Sequence, residues 1–481
     1  MDDGSTGRRP RVRGPLAVLL ACALLAGLGA LAAYRTLRPA EVLTLARGPY
    51  PAGPTTPLRG YGRFADAPLF VGEQVRVYAN KYQVKADGPG NQRFQASPYW
   101  SLRRWPQQVL GVVVAAGRAV TRWSDGELTA TDVRSGAVAW RQPGPAVPAG
   151  ARYTGRRDGA GSVYAPDGMH TAADTVIVRG RTETVAYDPA GAVRWREPAG
   201  ACPVESFTTT DGRYAVVRGC GPETVEFRDP RTGRLRDTWA AGGAVTPLAC
   251  APARSACVAL RVARPGAPGP RGEGWLLAAG RPARAAGLDN PGALAMADGR
   301  GQVLAATLAD GAVVVGPAAG GPALWRWRAP AVPVRPDPAT AALLGIPPGV
   351  GGLRPGTPLP GIPAAPPGRP GAPRELVVPG APAVRHLLAS HADSLYVVTA
   401  QNRVAELDTR TGALRAGFTL DRSEAVRTWV PGWAVAGPHL VAFEQLRAGV
   451  PATRDDAEYY LSGEPVIVAG PFYNPKSRRI E

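Results

Sequence analysis

Lysine is nearly missing from this chain: among 56 basic residues only Lys81, Lys85 and Lys476 are lysines, and the rest are arginines. The net charge of +18 therefore comes from arginine, in a sequence also rich in Ala, Gly and Pro, which is the residue usage of GC-rich bacterial codons. No stretch interleaves basic residues with aromatics densely enough to form a nucleic-acid platform, so no nucleic-acid partner is expected. Histidine is scarce too. His170, His386, His391 and His439 form no metal-ligand pair beyond His386-x4-His391, a spacing that fits no helix face. Ser390 beside His391 lacks a Gly-x-Ser-x-Gly elbow, and no glycine-rich segment has the strand and helix setting of a phosphate loop. Helical periodicity is absent outside one N-terminal segment, which excludes a helical bundle or an α/β fold.

That segment is the one long apolar run. Pro15 to Tyr34 is uncharged, and as a helix rising about 1.5 Å per residue it spans a bilayer core of roughly 30 Å. Arg8, Arg9, Arg11 and Arg13 precede it, so the positive-inside rule keeps residues 1–14 cytoplasmic and sends the rest outside. We read 15–34 as a transmembrane signal anchor, with Arg35 and Arg38 at its end. A secreted protein cleaved after Ala30-Leu31-Ala32 is the alternative, and Leu19-Leu-Ala-Cys22 is a weaker lipoprotein-type signal.

An extracytoplasmic location agrees with the cysteines. Beyond Cys22 there are four, Cys202, Cys220, Cys250 and Cys257, which allow three disulfide connectivities. The preferred pairing is Cys202 with Cys220 and Cys250 with Cys257, each closing a local loop. Spacings without a Cys-x-x-Cys pair argue against zinc, and no metal or cofactor is expected.

What the chain does have is a repeated phrase: a strand ending in Asp, a turn closed by Gly, and a second strand ending in an aromatic. It runs from Asp132 through Gly136 to Trp140, from Asp188 through Gly191 to Trp195, from Asp229 through Gly233 to Trp239, and from Asp408 through Gly412 to Phe418. Glycine supplies the positive φ that closes the turn, and the aspartate accepts hydrogen bonds from turn amides. The terminal aromatic is expected to wedge between neighbouring units. Successive glycines 55 and 42 residues apart match the length of a four-stranded propeller blade.

Asp229-Pro-Arg-Thr-Gly233 and Asp408-Thr-Arg-Thr-Gly412 resemble the pyrroloquinoline-quinone-like propeller repeat, and weaker copies at Gln74–Tyr82, Trp275–Gly280 and Val313–Trp325 extend the resemblance over roughly residues 60 to 445. The resemblance implies an all-β fold, a β-propeller of about seven or eight four-stranded blades over residues 58–446, preceded by one transmembrane helix. Residues 35–57 read as a Pro/Gly tether, 330–382 as a Pro/Gly-rich insertion, and 447–481 as a C-terminal tail with room for a closing strand. Quinoproteins that share the repeat carry a cofactor on the propeller axis with calcium, a catalytic Asp and adjacent cysteines. This chain has no Cys-Cys pair, and its repeated aspartates sit at hairpins. The pattern is also similar to the propeller scaffold of outer-membrane β-barrel assembly, with a helical run in place of a lipid anchor. The expectation is a non-catalytic binding or scaffolding platform of the cell envelope, whose partner is a protein or polymer, with a quinoprotein-like or sugar-acting enzyme as the alternative.

Overall fold

The computed structural model describes residues 14–53, 60–90, 97–155, 158–200, 202, 204–220, 223–263, 272–277, 280–298, 300–329, 383–400, 403–420, 429–447 and 466–470. The expected insertion at 330–382, the basic N-terminal tail and the Lys476–Arg479 end lie outside the described residues.

Eight antiparallel sheets follow one another along the chain. The second to the seventh are meanders of four consecutive strands, opening at Val109, Met169, Val204, Val245, Leu294 and Val384. Their second strands are mostly apolar and largely buried, as in Ser394–Thr399, whereas fourth strands such as Val193–Pro198 alternate with solvent. That gradient explains why the sequence shows continuous Val/Ala runs followed by polar strands holding one tryptophan.

Each sheet shares a core with the next. Val120 and Leu128 of the second meet Val176 and Tyr187 of the third, and Ile177 of the third meets Tyr214 of the fourth. Phe207 then meets Leu260, Ala259 meets Ala305, Leu304 meets Val397, and Val398 meets Phe443 in the eighth sheet. Ala442 of that sheet joins the core of the first, with Val75 and Val77. The packing order is cyclic.

Closure is made by covalently distant strands. The eighth sheet contains Trp429–Ala436, Val441–Arg447 and Val466–Gly470, and its outer strand is Gly60–Phe64 from the N-terminal side. The late strand lies inside the last sheet, paired on one side with Val441–Glu444 and on the other with the N-terminal strand. Glu73 of the first sheet accepts a hydrogen bond from the His439 backbone at 2.8 Å and lies 3.0 Å from its Nδ1, fastening the same seam.

Two expectations need correction. The segment 35–57 is not a free tether: Ala40–Thr44 pairs with Trp100–Trp105 as a fifth strand of the first sheet, and Glu41 pairs with Arg104 and Arg141. Tyr50 is buried and stacks on Tyr99 at 4.2 Å. Apolar residues between the prolines supply the packing that the Pro/Gly count concealed. Helical structure also occurs beyond the N-terminus, as the short helix Gly161–Tyr164 and two 3-10 turns.

Gly14–Leu37 forms α1, a helix of 24 residues over the expected anchor. Among the described residues no helix is long and apolar enough to cross a membrane.

Candidate functional site

The repeated Asp–Gly turns are the third-to-fourth strand hairpins of the second, third, fourth and seventh sheets. In three of them the glycine amide donates to the aspartate carbonyl four residues back, at 2.8–2.9 Å; the shorter Asp188 turn spans three residues, at 3.0 Å. Asp132 Oδ1 accepts from the amides of Arg134 and Ser135, and Asp188, Asp229 and Asp408 repeat the pattern. Burial works against ionisation of Asp408, but donation from Thr411 and Arg415 overcomes it and holds the carboxyl at about 2. The four aspartates stand on four different sheets, each engaged with its own turn.

Gly136, Gly191, Gly233 and Gly412 have φ of +75°, +86°, +70° and +70°. Each lies against a tryptophan of the preceding sheet: Trp100, Trp140, Trp195 and Trp325 respectively. The indole Nε1 of each donates to the carbonyl of the residue after the aspartate, namely Val133, Pro189, Pro230 and Thr409, at 2.8–3.0 Å. The turn glycine thus makes room for a docking tryptophan, and the repeat is an inter-sheet latch. Where the fifth sheet lacks the Asp–Gly turn, Trp239 of the fourth packs edge-on against Trp275 at 5.0 Å instead.

The inner side of the ring is filled by the chain itself. Cys250 and Cys257 are joined at 2.03 Å and close a loop between the first two strands of the fifth sheet, while Cys202 and Cys220 are joined at 2.13 Å beside the first two strands of the fourth. These are the pairings preferred from the sequence. The loop 250–257 reaches inward until Ala253, 2% exposed, enters the core shared by Val113, Val120 and Met169 of the second and third sheets. Its polar groups are met by first strands: His170 Nδ1 lies 2.9 Å from the Ala253 carbonyl, Thr171 bonds Ser255 Oγ, and the Cys257 amide donates to the Thr208 carbonyl. His170 Nε2 lies 2.8 Å from Ser206 Oγ. Burial pushes this imidazole down to about 4, so it is neutral at pH 7.

The short helix Gly161–Tyr164 covers the seam in the same manner. The Ala160 amide donates to the Glu444 carboxylate at 2.9 Å, and Tyr164 Oη donates to the Ala67 carbonyl at 2.9 Å. Between the disulfide loop and the first strands of the sixth to eighth sheets a cavity of about 390 Å³ remains, lined mainly by Ala and other apolar side chains together with His391 and Trp433. His386 packs tilted against Trp429, with ring centroids 5.4 Å apart. No metal-binding group of three acidic, His or Cys residues occurs among the described residues.

A second, larger cavity of about 750 Å³ lies between the second, third and fourth sheets, beside Cys202. Arg122, Arg152, Arg179, Arg181 and Arg218 line it, with Glu197 and Asp167 as its acids.

A family model described as "Outer membrane protein assembly factor BamB" matches residues 125–342. Those residues hold three of the four Asp–Gly turns just described. Over those residues the chain matches a family of PQQ-like repeats. Solved structures similar to it include BamB from Moraxella catarrhalis, 14% identical, covering 89% of this chain and 100% of that one with a TM-score of 0.42. Others are the dihydro-heme d1 dehydrogenase NirN in complex with DHE (11% identical, 84% and 73% covered, TM-score 0.43) and Saccharomyces cerevisiae Sqt1 (10%, 87% and 100%, 0.42). No curated protein sequence matches.

Sequence reasoning identified the turn residues but missed the inward disulfide loop and the arginine cavity. The cysteine pair was the only local mark of the loop. The arginines carry a fainter sign, since Arg122, Arg179 and Arg218 each stand at or next to the end of a second strand.

Proposed function

We propose that this protein is a non-catalytic, membrane-anchored propeller of eight blades, exposed outside the cytoplasm, that serves as a binding or scaffolding platform of the cell envelope. The observation that carries this reading is the filled inner face. The loop 250–257 occupies part of that face, and its polar groups are satisfied by first-strand partners. A partner is then met on the outer surface and at the inter-strand loops.

Anchoring is supported by the apolar composition of Gly14–Leu37 and by the arginines before it. Only Arg38 and Pro39 separate α1 from the edge strand Ala40–Thr44, so an anchored helix would hold the first sheet close to the bilayer. The two disulfides fit an oxidising compartment. The test is in-cell cross-linking of the full-length protein followed by membrane fractionation and purification. Recovery in the membrane fraction with a stoichiometric envelope protein or polymer is expected. Recovery of a soluble form beginning at Ala33 would reject the anchor, and co-purification of a stoichiometric quinone would reject the non-catalytic reading.

A further inference from the structure

We propose that the cavity between the second, third and fourth sheets binds a phosphoryl oxyanion, carried by a phosphorylated organic molecule. The argument starts from Arg122, 5% exposed in the cavity wall. Its Nη1 donates to the Arg179 carbonyl at 2.8 Å and its Nη2 to the Pro145 carbonyl at 3.0 Å, while Nε is buried without a partner. Carbonyl dipoles satisfy the donors but do not neutralise the charge. A buried cation with no counter-ion is costly, and the cost is relieved when an anion enters.

The acids already present are committed elsewhere. Glu197 pairs with Arg218 and Arg228 at 3.1 and 3.0 Å, and Asp167 pairs with Arg254 at 2.9 Å. Arg218 is further held by Glu226 at 2.6 Å. Among the described residues, Arg122, Arg152, Arg179 and Arg181 therefore face the cavity with no carboxylate partner. Burial, aided by the neighbouring Arg179, drives the Arg122 guanidinium down to about 10, which agrees with an unmet charge.

A cavity lined by four arginines without carboxylate partners suits a multiply charged group with oxygens on several sides, as in a phosphate ester or pyrophosphate, better than a single planar carboxylate. The volume of about 750 Å³ exceeds what inorganic phosphate needs and falls in the range of small-molecule sites. Pro148, Pro166, Pro198 and Tyr214 supply apolar wall for the organic part. The arrangement follows from the repeat, since second strands ending in arginine on adjacent sheets converge on one side. It does not depend on the platform reading.

The test uses the detergent-solubilised full chain, with titration calorimetry and thermal unfolding at constant ionic strength. The probes are inorganic pyrophosphate, glycerol phosphate and phosphatidylglycerol in mixed micelles, with sulfate and chloride as controls. Saturable binding of pyrophosphate or glycerol phosphate, weakened about tenfold or more by Arg179→Gln with Arg181→Gln, is expected. Binding of micellar phosphatidylglycerol alone, lost in the same variant, supports the same chemistry with a lipid headgroup as its source. Stabilisation no greater than that given by sulfate, or binding untouched by the substitutions, overturns the proposal. If the double variant does not fold, the exposed Arg181→Gln alone serves, and unchanged affinity there, with unchanged affinity in Arg152→Gln, has the same meaning.

Discussion

Replacing Gly136 with alanine tests the latch directly. The backbone there has φ of +75°, and an added Cβ would lie 2.4 Å from Cβ and 2.5 Å from Cγ of Trp100. The left-handed conformation costs a non-glycine residue about 1–2 kcal/mol. The tryptophan must then retreat by about an ångström to restore van der Waals contact, and overpacking of this kind costs about 1–3 kcal/mol. Retreat also stretches the 2.9 Å bond from Trp100 Nε1 to the Val133 carbonyl, at about 0.5–1.5 kcal/mol. The sum is about 2.5–6.5 kcal/mol. Gly212, at φ +81° with nothing within 4 Å of its added Cβ, carries only the backbone cost of about 1–2 kcal/mol and serves as the control.

The other latches grade the effect. The nearest contact is 2.7 Å at Gly191 and Gly412 but 3.0 Å at Gly233, where a shift of a few tenths of an ångström suffices. The expected order of destabilisation is Gly136 first, then Gly191 and Gly412, then Gly233, with Gly212 last. The sequence pattern makes the four repeat glycines equivalent, and the tryptophan distances separate them. Urea unfolding followed by tryptophan fluorescence measures the midpoints at unchanged slope. Equal losses for Gly136→Ala and Gly212→Ala would refute the latch, as would a larger loss at Gly233 than at Gly136.

Three further outcomes follow. His170 is neutral when folded, with its pKa lowered to about 4, while the unfolded chain takes up a proton near 6.5; stability is therefore full above pH 6.5 and falls as the pH drops toward 4, by at most roughly 3 kcal/mol. Urea midpoints of the wild type and His170→Gln at pH 7 and pH 4.5 check this, and an equal pH dependence in both would exclude His170 as its source. Cys250→Ser with Cys257→Ser should lower stability by about 2–3 kcal/mol, since a short loop is freed in the unfolded chain, and non-reduced peptide mapping of the wild type should recover only the 250–257 and 202–220 pairs. Asp229→Asn keeps an acceptor for the Arg231 and Thr232 amides and loses only the exposed ion pair with Arg236, so it should change stability by less than about 1 kcal/mol and leave partner binding intact.

The turns were legible because their chemistry is local, an Asp and a Gly that one turn type demands in that order, whereas the tryptophan that docks on each comes from the preceding sheet. The fifth and eighth sheets were legible only in part, for physical reasons specific to each. The fourth strand of the fifth is only Ala283–Arg284 and has no Asp–Gly turn before it. The eighth joins Gly60–Phe64 to Val466–Gly470, a pairing that no local pattern encodes. Burial hid the remaining features. Arg122 reads as one arginine among many until its position between the Arg179 and Pro145 carbonyls is known.

The filled inner face is a consequence of the number of sheets. Eight sheets packed in a cycle stand their first strands farther apart than a smaller ring would. The space must hold water, a ligand or protein. This chain supplies protein, and it accepts positive φ at Ala249, Ala253, Arg254 and Ala256 to do so, at values from +46° to +64°. Backbone strain of that kind, about 1 kcal/mol or more per residue, persists only where surrounding contacts over-determine it. Here the contacts are named: the disulfide at the base of the loop, His170 and Thr171 at its tip, and the core that receives Ala253. A loop so held occupies part of the inner face and leaves the cavity of about 390 Å³ beside it.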